Sequence, residues 1–174
     1  MDNNDILIRL RYALNIRNTE MVKIFKLGGL ELTEETVSKL LIKAKNTYHS
    51  LREGDNPGEE GTDEQIKCKN SMLESFLNGL ITYKRGKQDP DKEQPEALIL
   101  KSNDNPNNIL LKKVKIALSL TSDDMIKIFA DAGIRVTSGE LSALLRREGH
   151  KNYKECGDKY ARNFLKGLTI KYRG

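Results

Sequence analysis

The chain has 174 residues, 37% of them hydrophobic and 32% charged, and a net charge of +5. This balance fits a soluble globular protein with one sizeable core or two small ones. No run of 18 apolar residues occurs, which excludes a membrane-spanning helix. The opening MDNNDILIRLRY has no basic-then-apolar export pattern, and there are only two cysteines, so reduced thiols in the cytoplasm are expected.

A duplication sets the order of elements. Residues 4–41 align with 108–145 without a gap at an offset of 104, with 13 identities in 38 pairs. The match resumes at 68–86 against 156–174 at an offset of 88, because the first copy carries 16 extra residues before its cysteine. Positions kept in both copies report the shared fold. Positions that differ report what each copy does separately.

Each copy reads as four helices. Ile6, Leu7, Leu10, Ala13 and Leu14 recur at helical spacing, as do Leu110, Leu111, Val114, Ala117 and Leu118. A break follows at Asn15–Asn18 and at Ser119–Ser122. The second helix starts at Asn18 or Thr19, and at Thr121 or Ser122, with Glu20 or Asp123 and Asp124 in its first turn. It stops near Gly29 or Gly133. The third helix begins at Thr33 or Thr137, and Thr137 with Glu140 has the spacing of a capping box.

Residues 50–64 form a Gly-, Asp-, Glu- and Pro-rich insertion read as a surface loop. The fourth helix then runs from about Asn70 to Lys84 and from about Asp158 to Tyr172. Phe76, Leu77 and Leu80 match Phe164, Leu165 and Leu168, and Gly86 and Gly174 sit where a left-handed cap is expected. Between the copies lies a polar connector, 87–106, with Leu98-Ile99-Leu100 expected to tack onto a helical surface. The expected architecture is all-α, a tandem pseudo-symmetric repeat of a four-helix unit, with repeats at 1–86 and 107–174.

Charge divides the copies. Residues 1–86 hold 13 Lys/Arg and 13 Asp/Glu, whereas 107–174 hold 14 and 7. On the last helix Lys159, Arg162, Lys166 and Arg173 fall within about 60° on a helical wheel. The first copy has Ser71, Glu74, Asn78 and Arg85 at those places. Arg146, Arg147, Lys151 and Lys154 add charge upstream. A basic face of this kind can contact phosphates, and it can equally be a solvated outer face.

Cys68 and Cys156 precede the fourth helix in their copies, where a thiol can be activated or can simply pack. His150, Tyr153 and Cys156 recur at spacing three, which a helical turn would align. No CxxC, phosphate loop, GxSxG, Rossmann fingerprint or HExxH is present, so no catalytic, cofactor or metal site is assigned.

The stretches NDILIRLRYAL, FLNGLITYKRG and HKNYKECGDKYARNFLKGL resemble bacterial domain-of-unknown-function family 1456, the YehS-like proteins. The resemblance covers nearly the whole chain outside the insertion and connector. It implies a cytoplasmic bacterial protein with two all-helical copies, and it brings no reaction, ligand or catalytic residue. The leading functional expectation is therefore a non-enzymatic binding protein that contacts DNA or RNA through the basic second repeat. The alternative is a protein–protein adaptor using grooves between the repeats, and a third reading is a cysteine-based redox sensor or enzyme. No membrane partner is expected.

Overall fold

The computed structural model describes residues 1–42, 65–86, 98–101, 104–146 and 149–173. Every regular element among these residues is an α-helix, and the helices come in two runs of four. The first run is α1 (Asn3–Leu14), α2 (Asn18–Leu27), α3 (Glu34–Leu40) and α4 (Asn70–Arg85). The second is α5 (Asn107–Ala117), α6 (Ser122–Asp131), α7 (Ser138–Leu145) and α8 (Asp158–Arg173). The insertion and most of the connector lie outside the described residues.

Local chemistry fixes the helix ends. Asp2, Thr33, Thr121 and Thr137 each accept a hydrogen bond from the backbone N–H three residues on, satisfying one otherwise unpaired amide. At Thr137 the hydroxyl accepts from the Glu140 amide. The reciprocal capping box forms instead at Thr121 and Asp124, where the Thr121 amide also donates to the Asp124 carboxylate. Asn15 and Ser119, at equivalent places, adopt left-handed φ of 52° and 54° and end α1 and α5. Gly29 and Gly133 share a φ of 93° after α2 and α6. Gly86 also has a positive φ of 79°, but its ψ of 174° takes it out of the left-handed helical region expected for the cap. Gly174 lies outside the described residues.

Apolar stripes then select the packing. α2 lies across α4 and α6 across α8. Phe25 meets Phe76 with ring centroids 5.2 Å apart, and Phe129 meets Phe164 at 5.5 Å. All four rings are fully buried. The helices cross closely because glycine sits at the crossing. A Cβ on Gly79 would lie 1.8 Å from the Ile24 carbonyl oxygen, and one on Gly167 would lie 2.1 Å from that of Ile128.

The first helix of each run packs mainly on the last helix of the other. α1 lies along α8, and α4 lies along α5. The two four-helix runs are therefore joined through exchanged first helices, and two seams result. The same arginine closes one end of each. Arg173 donates to the Tyr12 carbonyl at 3.2 Å, and Arg85 to the Ile116 carbonyl at 3.5 Å. Tyr12 and Ile116 are equivalent at the offset of 104.

Candidate binding cleft between the two halves

At the α1–α8 seam, the outward-turned side chains of the two helices diverge and leave a cleft of about 600 Å³. α1 contributes Ile8, Arg9 and Tyr12. α8 contributes Arg162, Leu165, Lys166 and Ile170, with Asn163 and Thr169. Three cations thus border a partly apolar surface. None of Arg9, Arg162 and Lys166 is in a salt bridge among the described residues.

The cleft is tied at both ends. At one end the N-terminal amine lies 3.0 Å from the Asp158 carboxylate. Asp158 is held below its ordinary carboxylate range first by a hydrogen bond from Asn107, then by that amine, with a smaller contribution from the Arg162 charge. At the other end the Arg173 guanidinium stacks 4.1 Å from the Tyr12 ring centroid and bonds Asn15 at 3.1 Å.

The α4–α5 seam is filled. Glu74, equivalent to Arg162, is fully buried, and its carboxylate accepts from the Ile99 amide at 2.9 Å and the Leu100 amide at 2.7 Å. Lys113, equivalent to Arg9, donates from Nζ to Oδ1 of Asn78, which is equivalent to Lys166. Asn70 donates to the Lys101 and Asp104 carbonyls, each at 2.7 Å. Residues 98–101 therefore lie as a non-helical strap over this seam. They are held mainly by their backbone, since Ile99 stays 68% exposed. The expectation that Leu98-Ile99-Leu100 tacks onto a helical surface is met, through polar capture more than apolar burial.

A family model described as "Protein of unknown function (DUF1456)" matches residues 3–86 and 107–174. The chain belongs to this family. A relative in Escherichia coli K12, described as "Uncharacterized protein YehS", is 40% identical over 172 residues, covering 98% of this chain and 96% of its own. No solved structure matches.

In this DUF1456 chain the basic residues singled out from sequence divide into groups. Arg162 and Lys166 line the cleft, and Lys159 is exposed one turn earlier on α8. Lys154 lies 5.3 Å from the Tyr160 ring, whose edge meets Phe129 of α6, and its amide is bonded to Ala143 of α7. It therefore sits on the opposite flank of α8 from α1. Lys151 is exposed in the neighbouring turn, and Arg146 is half-buried just after α7. Arg147 lies outside the described residues. Sequence reasoning missed Arg9, which α1 carries across to α8. Its signal was the duplication, because Arg9 aligns with a second cation, Lys113.

Cys68 and Cys156 are buried free thiols. Burial pushes each thiol up to about 12, so neither is ionised near neutrality. Their positions are fixed by asparagines. The Cys68 amide donates to Asn4, which itself donates to the Leu40 and Ile66 carbonyls. Asn108 does the same for Cys156, Leu144 and Lys154. This doubled clamp ties the first helix to the third and to the cysteine, and the sequence reading passed over it. The alignment of His150, Tyr153 and Cys156 on a helical turn does not form. Residues 149–157 are turn and coil, His150 is exposed, and Cys156 is buried. Among the described residues there is no group of three or more metal-ligating side chains and no helix long and apolar enough to cross a membrane.

Proposed function

We propose that this protein is a non-enzymatic adaptor of the cytoplasm that binds another protein in the cleft between α1 and α8. The observation that carries this reading is the strap. One inter-repeat seam already carries non-helical polypeptide, and among the described residues its counterpart is an open cleft. Four features support a binding role for the open seam: its volume, its apolar lining, its three cations and its tied ends. The two thiols support no chemistry, because burial keeps them protonated. A photo-reactive phenylalanine in place of Ile170 tests the reading. Nuclease-resistant protein adducts are expected in cells, and Arg9→Glu with Lys166→Glu should abolish them. Adducts that survive both substitutions would remove the cleft from the reading.

A second reading is contact with DNA or RNA through Lys159, Arg162 and Lys166. It is favoured by their shared exposure along one side of α8. Replacing all three with Glu should then abolish binding to mixed-sequence oligonucleotides, and binding should weaken steeply from about 50 to 200 mM salt. In the cleft, Arg173 takes up one face of the Tyr12 ring, and the ring stays exposed. Arg146, Lys151 and Lys154 come from the α7 side and do not extend the cleft.

A further inference from the structure

Glu74 and Arg162 occupy the same place in the two seams and differ in kind. A carboxylate only accepts hydrogen bonds, and Glu74 accepts from two consecutive strap amides. A guanidinium only donates. Arg162 therefore cannot hold the backbone groups that Glu74 holds, and a second copy of the strap would leave those amides unpaired in its cleft. The neighbours change in the same direction. Asn78 is replaced by Lys166, while the cation Lys113 is kept as Arg9. The open seam keeps the site of an extended chain and reverses the charge of the group that reads it.

Resting on the adaptor reading above, we infer that the open cleft takes an extended acidic segment of another protein, a short apolar run bounded by Glu or Asp. Arg162 holds a carboxylate of that segment through paired N–H donors, the geometry a guanidinium offers best. Arg9 and Lys166 flank it with positive charge, and Ile8, Leu165 and Ile170 supply the apolar contact. A non-helical segment matches the cleft because residues 98–101, held at the equivalent seam, carry no helix.

Fluorescence anisotropy on the full chain tests this. The probe is a labelled, end-blocked peptide with Leu-Ile-Leu between two pairs of Glu. The controls are the same peptide with Lys in place of Glu and a single-stranded oligonucleotide. The acidic probe should bind and the lysine probe should not. Arg162→Glu should weaken binding at least about tenfold, the loss expected for one charge-assisted hydrogen bond. Arg162→Lys should keep part of it. Arg162 is exposed, so the fold should survive, and Lys166→Glu provides a second variant should Arg162→Glu not fold.

A further gain-of-function arm uses an end-blocked peptide of residues 98–101, Leu-Ile-Leu-Lys, which carries no acidic side chain. Arg162→Glu restores the acceptor found at Glu74 and should bind that peptide better than the parent does. Failure of the acidic probe while position 170 still crosslinks protein in a cleft-dependent way would overturn this inference and leave the adaptor reading. Equal binding of the acidic probe to the parent and to both charge-reversed variants would also overturn it. Oligonucleotide binding with neither peptide binding nor a protein crosslink at position 170 would overturn both.

Discussion

Asn4 and Asn108 show how much one polar side chain can organise in a small helical fold. Each accepts from a cysteine amide and donates to two carbonyls that no helix satisfies. Replacing either with Ala orphans these buried groups together, so chemical denaturation should show a loss of roughly 3 kcal/mol, the upper range for one unsatisfied buried group. The cysteines beside them titrate far above the ordinary 9.0, at about 12, because burial opposes the thiolate. A raised folded-state pKa means that stability is fully present below the unfolded value and is lost as pH rises toward the folded one. Melting temperature should therefore fall between pH about 9 and 12, and less so in a Cys68→Ala, Cys156→Ala variant. Asp158 runs the other way. Its folded pKa is lowered from 3.8, chiefly by Asn107, so its contribution is present above that value and lost as pH falls through the folded one. Asp158→Asn should flatten part of the acid limb of the melting curve.

Among the elements, the helices themselves were readable. Thr33, Thr121 and Thr137 start helices where hydroxyl and acidic residues precede an apolar stripe, and Gly29 and Gly133 stop them where only a positive φ closes the turn. Phe25, Phe76, Phe129 and Phe164 are buried where the repeat placed them, and truncating any one to Ala should cost about 3–5 kcal/mol in a denaturant titration. What periodicity could not reveal was the partner of each stripe. The apolar face of α1 suits α4 as well as α8, and spacing carries no record of which it meets. Arg9 was invisible as a site residue for that reason, while Arg162 and Lys166 stood out on one helix. The glycines at the crossings were visible as repeated residues but not as contacts. Gly79→Ala and Gly167→Ala would each drive a methyl group into a carbonyl oxygen of the facing helix. Each should cost about 1–3 kcal/mol, measured as a lowered denaturation midpoint.

At the scale of the whole molecule, the exchanged first helices mean that neither run of four is self-contained. α1 has its main partner in α8, and α5 has its main partner in α4. A fragment of residues 107–174 should therefore show little stable helix by circular dichroism as a monomer. Mixing it with residues 1–86 should restore a one-to-one complex with the native spectrum. A cooperatively folded, monomeric fragment would show that the seams contribute less than the packing indicates. The charge difference between the two runs also takes on a location here. Part of the basic excess of residues 107–174 lies at one seam, where Arg162 and Lys166 replace Glu74 and Asn78.

A homodimer built from one such repeat would have had two identical seams, because a two-fold axis copies every side chain into both. Glu at one and Arg at the other is forbidden under that symmetry. Placing both repeats on a single chain lifts the restriction. The linker that joins them can then seal one seam as part of the fold, and the other is released to vary on its own. Fusion thus lifts the equivalence of the two interfaces: one is closed from the linker side, and the other can change its residues alone.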